Sequence, residues 1–127
     1  MCLFSKNDMK KIITFFISNI SRFLKNDSFE FCLTFIKSPN KEHKKMIAGI
    51  LRNTDCVFEF EDGIVILFSG ASKKFTQNIS NEINTFLNSK SCECIAYYPY
   101  DGNNYDDLIN RLNKLTYKNY KVKLIYE

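Results

Sequence analysis

The chain has no tryptophan, two prolines, four glycines and a single histidine in 127 residues. With proline and glycine this sparse and unclustered, it holds no flexible linker and no low-complexity tract. The lone His43 has no serine or cysteine at a spacing that would pair with it, so no motif for nucleophilic catalysis is present. A solvent-facing role is the simpler reading of it. Five cysteines contain no Cys-x-x-Cys, and Cys92 and Cys94 stand one residue apart, so a zinc site lacks properly spaced ligands. An odd cysteine count without a secretory signal fits reduced thiols in the cytoplasm. Cys32 and Cys56 fall in strand-like runs and read as small core residues. The longest N-terminal apolar run, Ile12 to Ile17, is interrupted by Thr14. It is far shorter than the ~20 residues a membrane-spanning helix needs, so no membrane insertion is expected. Strong charge of one sign is also missing. A net charge of +4 with dispersed lysines makes a solvated basic surface and falls short of a nucleic-acid footprint.

What is present is one domain's worth of core, residues 1–127, with the apolar content of a globular protein. The stretch that organises it runs from Arg52 to Phe68. Cys56, Phe58 and Phe60 alternate with Val57 and Glu59, the period of a strand with one buried face. Glu61-Asp62-Gly63 interrupts that pattern as a tight turn, in which glycine would supply positive φ. Ile64 to Phe68 is apolar without alternation, as in a central strand covered on both faces.

Around this hairpin, helical spacing of Ile12, Ile13, Phe16, Ile17, Ile20, Phe23 and Leu24 predicts a helix over 8–25 with Asp8 as its cap. Its stripe docks on the sheet or forms a dimer contact. A turn at 26–28 leads to a strand over 29–36, ended by Pro39. Asn40 caps a short helix over 41–52, with Met46, Ile47, Ile50 and Leu51 inward. A third helix over 73–89 carries the stripe Phe75, Ile79, Ile83, Phe86 and Leu87. A strand over 92–98, a turn-rich loop, a helix over 105–117 and a strand over 122–126 complete the chain. The class is α/β (α+β): a ferredoxin-like βαββαβ core with an added N-terminal helix and a C-terminal αβ unit. Right-handed crossovers place the strands at 29–36 and 64–68 side by side in the middle.

Element order and two motifs resemble the GGDEF domain, the diguanylate cyclase fold of bacterial signalling proteins. In that family an Arg-x-x-Asp precedes a Gly-Gly-Asp/Glu-Glu-Phe hairpin turn by five residues. Here Arg52-Asn53-Thr54-Asp55 is followed by Cys56 to Phe60 and then by Glu61-Asp62-Gly63-Ile64-Val65. The second motif is Tyr98-Pro99-Tyr100-Asp101-Gly102, followed by Asp107-Leu108-Ile109 and Leu115-Thr116-Tyr117-Lys118. The resemblance spans residues 8–126 and implies a nucleotide-cyclase-like fold.

The departures carry the functional expectation. A cyclase needs two metal ions held by carboxylates to stabilise charge on transferring phosphoryl groups. The family's metal-binding Asp falls at Lys37, and its signature acid at Gly63. Glu61 and Asp62 replace the two glycines, and Ile64 and Val65 replace Glu and Phe. The segment before Arg52 is shorter than in the family and leaves room for one helix. The resemblance therefore implies a degenerate, truncated member with no cyclase activity, no metal and no cofactor. Its expected role is a cytoplasmic signalling or scaffold module acting through a protein partner, with a homodimer as one form.

The family's Arg-x-x-Asp binds the product cyclic di-GMP, which makes Arg52 and Asp55 candidate ligand residues in an alternative receptor role. An arginine fork suits phosphate or guanine O6/N7, and a carboxylate accepts from guanine amines. The structural alternative is that Asp55 caps a strand and Arg52 closes a helix end. Lys44 and Lys45 are expected in solvent. Tyr97, Tyr98, Tyr100 and Tyr105 gather at the Pro99 loop, as a stacking patch or as packing of a strand end.

Overall fold

The computed structural model describes residues 2–23, 29–88 and 94–124. Its elements in chain order are β1 (Cys2–Ser5), α1 (Met9–Phe23), β2 (Phe31–Lys37), α2 (Lys41–Ile50), β3 (Cys56–Glu59), β4 (Gly63–Ser69), α3 (Lys73–Phe86), β5 (Ile95–Tyr98) and α4 (Tyr105–Tyr120). The turn expected at 26–28 lies outside the described residues. So do positions 24–25, 89 and 92–93 of the expected elements.

One five-stranded sheet runs in the order β1-β3-β4-β2-β5. β2, α2, β3, β4, α3 and β5 form the ferredoxin-like core, and every neighbouring pair among its strands is antiparallel. β2 and β4 lie side by side in the middle, as the crossover rule requires. Both faces of these two strands are covered, which is why neither shows polar alternation. Phe31, Leu33, Phe35, Val65 and Leu67 meet α1 and α4 on one face. Ile36, Ile64, Ile66 and Phe68 meet α2 and α3 on the other. Met9, Ile13, Ile17 and Ile20 of α1 are buried in the first cluster, so that stripe docks on its own sheet.

β1 was not foreseen. Four residues without a period carry no strand signal of their own. Cys2–Ser5 is a strand because it pairs in parallel with β3, with Phe4 opposite Phe58 and their rings stacked at 5.9 Å. The end of the chain also departs from expectation. Residues 122–124 are not strand, and residues 125–127 of the expected strand 122–126 lie outside the described residues. Lys121 takes a left-handed conformation, and Lys121 N and Val122 N donate to the carbonyls of Tyr117 and Thr116. That pairing closes α4 at Tyr120, three residues beyond the expected end. Leu124 N then donates to Asn113 Oδ1, holding the tail against α4.

The hairpin turn is a further correction. Gly63 does not have positive φ; among the described residues only Gly70, Asn88 and Lys121 do. Gly63 opposes Lys37 at the end of β2, and a Cβ on it would collide with the carbonyl oxygen of Ile36. Close approach of two strands, rather than turn geometry, requires a glycine there.

Candidate functional site

Three groups of residues stand out, one at the hairpin end and two on the α2–α3 face of the sheet. The first is the hairpin end. Glu61 and Asp62 are exposed, whereas Gly63, Ile64 and Val65 are buried in β4. Lys37, the last residue of β2, is the register partner of Gly63. Its ammonium lies 5.7 Å from the centre of the Tyr120 ring. The two positions at which the resemblance implies carboxylates are thus adjacent, and they hold a cation and a glycine. Among the described residues no group of three His, Cys, Asp or Glu side chains is arranged to hold a metal ion.

Lys44 overturns an expectation. It is 3% exposed, and its ammonium donates to the carbonyl oxygens of Phe60 at 2.6 Å and Glu61 at 3.5 Å. A positive charge from α2 is therefore bound by the hairpin turn. The signal was present in the sequence, since Lys44, Ile47 and Ala48 share one face at spacings of three and four. Burial of that face carries the ammonium inward until backbone carbonyls meet it.

The second group is the pair Arg52 and Asp55. α2 ends at Ile50, and the chain turns so that Asp55 N donates to Arg52 O. The Asp55 carboxylate accepts four hydrogen bonds. Oδ1 receives Arg52 Nη2 at 3.0 Å and Ser69 N at 3.3 Å. Oδ2 receives Arg52 N and Arg52 Nε, both at 3.1 Å. Arg52 Nη2 also donates to Ser69 O, and the guanidinium carbon lies 5.4 Å from the Phe75 ring centre. The carboxylate ties the α2 exit to the end of β4. The Arg52 side chain as a whole keeps about half of its surface in water.

The third group is a groove of about 650 Å³ between α2 and α3, which sequence reasoning missed. The helices run antiparallel: Arg52 beside Phe75 marks one end, and His43 against Phe86 marks the other. The expected inward stripes are split: Ile47 and Ile83 are buried in the core and Leu51, Ile79 and Leu87 pack against it, but the rest turn outward. Met46, Ile50 and Phe86 are 53%, 74% and 57% exposed and line the groove. On α3 the side chains buried against the sheet are Thr76, Ser80, Ile83 and Asn84. Thr76 Oγ1 donates to Ser72 O, and Asn84 Nδ2 donates to Ser80 O, so these polar groups are satisfied within the helix. Phe75, Ile79 and Phe86 stand along the groove. Gly49 lies on its α2 side, and a Cβ there would meet nothing within 4 Å. A glycine inside a helix costs about 1 kcal/mol relative to alanine, and no neighbour in this chain requires one.

The tyrosine group serves packing at the strand end. Tyr98 stacks on Phe31 at 4.6 Å, and Tyr97 on Tyr100 at 4.9 Å. Asp101 closes the Tyr98-Pro99-Tyr100-Asp101-Gly102 turn by accepting from Tyr97 N.

Comparison with known proteins places the fold. The chain is similar to the crystal structure of a DGC protein from Thermotoga maritima, with a TM-score of 0.61 and 18% identity over 89% of this chain and 95% of that one. The architecture is thus a mixed α+β, ferredoxin-like, nucleotide-cyclase-like fold. No protein-family model matches the chain, nor does any curated protein. No helix among the described residues is long and apolar enough to cross a membrane.

Proposed function

We propose that this chain is a catalytically inactive, GGDEF-like signalling or scaffold module that works by contact with another protein. The observation that carries the reading is the α2–α3 groove. There Phe75, Ile79 and Phe86 of α3 and the exposed Met46 and Ile50 of α2 line an open apolar groove, while Thr76, Ser80, Ile83 and Asn84 of α3 lie against the sheet. Such a face gains by being covered, and its centre is apolar where a protein partner would seat. Inactivity is supported by Lys37 opposite Gly63, since a cation repels the metal that phosphoryl transfer needs.

The alternative role, a cyclic di-GMP receptor, draws its support from the fork of the half-exposed Arg52 side chain. Against it stands Asp55, whose two oxygens already accept four hydrogen bonds and are buried beneath that fork.

Two measurements test the reading. Incubation with GTP and Mg²⁺ or Mn²⁺ is expected to leave the nucleotide intact, and steady turnover would overturn the inactive assignment. A photo-crosslinking side chain at Ile50, used in cells, is expected to give a discrete protein adduct, whereas the same group at Lys114 on α4 gives none. Absence of any Ile50 adduct would remove the interaction role. Heat released on titrating cyclic di-GMP into wild type, and lost in Arg52→Ala, would favour the receptor instead.

A further inference from the structure

We infer that the occupant of the α2–α3 groove is the same groove of a second copy of this chain, forming a two-fold homodimer. This rests on the interaction reading above and names the partner. The argument is self-complementarity. The face carries its own ridge beside its own recess. Met46 and Ile50 stand one turn apart on α2 and project into solvent, and the groove against α3 runs alongside them. An i, i+4 ridge is the feature that inserts between the helices of a partner. A foreign helix would fill the recess and leave the ridge in water, whereas a second copy uses both.

Charge repeats the pattern. Arg52 closes one end of the groove, and Glu82 lies on α3 toward the other end. Because α2 and α3 are antiparallel, a half-turn about an axis through the middle of the groove brings Arg52 of each copy toward Glu82 of the other. The pair then forms twice, as an isologous interface demands. Gly49 sits near that axis, with open space where a side chain would stand. Two helices cross most closely where one of them offers no Cβ. The glycine unexplained within one chain is explained by two.

Light scattering and sedimentation across a concentration series test this with the full chain. Wild type is expected to show a monomer–dimer equilibrium. Ile50→Asp is expected to be monomeric with an unchanged circular dichroism spectrum, because position 50 is exposed and its replacement spares the fold. Glu82→Lys sets like charges across the interface and is expected to weaken association by about tenfold or more. A wild type that stays monomeric throughout would overturn the proposal. So would a dimer that Ile50→Asp leaves intact. The two readings fail separately. A monomeric wild type whose Ile50 crosslinker still captures a different protein refutes the second copy and spares the interaction module. A monomer with no adduct removes both.

Discussion

Asp55 receives both prongs of the Arg52 fork, at 3.0 and 3.1 Å, and is itself 2% exposed. The pair therefore joins three pieces of backbone: the α2 exit, the start of β3 and the end of β4. A side chain that bonds Arg52 N and Ser69 N together leaves two partly buried donors without it when it is removed.

That geometry makes the pair a stability element. Arg52→Ala and Asp55→Ala are each expected to destabilise by about 2–4 kcal/mol in urea unfolding. A double-mutant cycle is expected to give a coupling of about 1–3 kcal/mol. Single variants as stable as wild type would mean that the pair has no structural role.

Lys44 anchors the hairpin through two carbonyls. Lys44→Met keeps the apolar stem and removes the ammonium, leaving the Phe60 carbonyl without its buried donor. The expected loss is about 1–3 kcal/mol. Hydrogen exchange is expected to rise at Gly63 and Ile64 more than at α4. An unchanged hairpin would show that the contact contributes nothing.

Burial pushes the Cys32 thiol from 9.0 up to about 11. The folded chain thus holds this proton at a pH where the unfolded chain has released it. Stability from this group is intact below about pH 9 and is lost as pH rises from there toward 11. Cys32→Ala is expected to lessen that alkaline loss. At pH 8, alkylation followed by mass spectrometry is expected to label the half-buried Cys56 well before Cys32.

Gly49→Ala is expected to stabilise the monomer by about 0.5–1 kcal/mol, measured in the Ile50→Asp background. The added methyl meets open space. A loss of stability would mean that the glycine is needed within one chain after all.

Much of the architecture was legible because local signals agreed with it. The hairpin at Glu61–Gly63, the cap at Asn40, and the apolar runs of β2 and β4 each state their role within a few residues. β1 was illegible because its only reason for being a strand is β3, more than fifty residues away. Of the site, Arg52 and Asp55 were found by motif, as ligand residues or as a helix-end and strand-cap pair, but that they bond each other was seen only in the structure. Lys44 was assigned to solvent because lysine usually lies there, although its helical spacing from Ile47 argued otherwise.

The residue pattern alone determined the type of the central elements and the strand pairing at the centre of the sheet. Those follow from periodicity and turn chemistry, which act over short distances along the chain. Only the tertiary structure decided which apolar side chains of α2 and α3 are left outside the core. An apolar stripe on α3 states that something must cover it. Whether the sheet or another surface does so depends on how α2 and α3 are spaced across the strands. Here Thr76 and Asn84 donate to carbonyls of their own helix and can therefore face the sheet beside Ile83. That leaves Phe75, Ile79 and Phe86 to line an open groove.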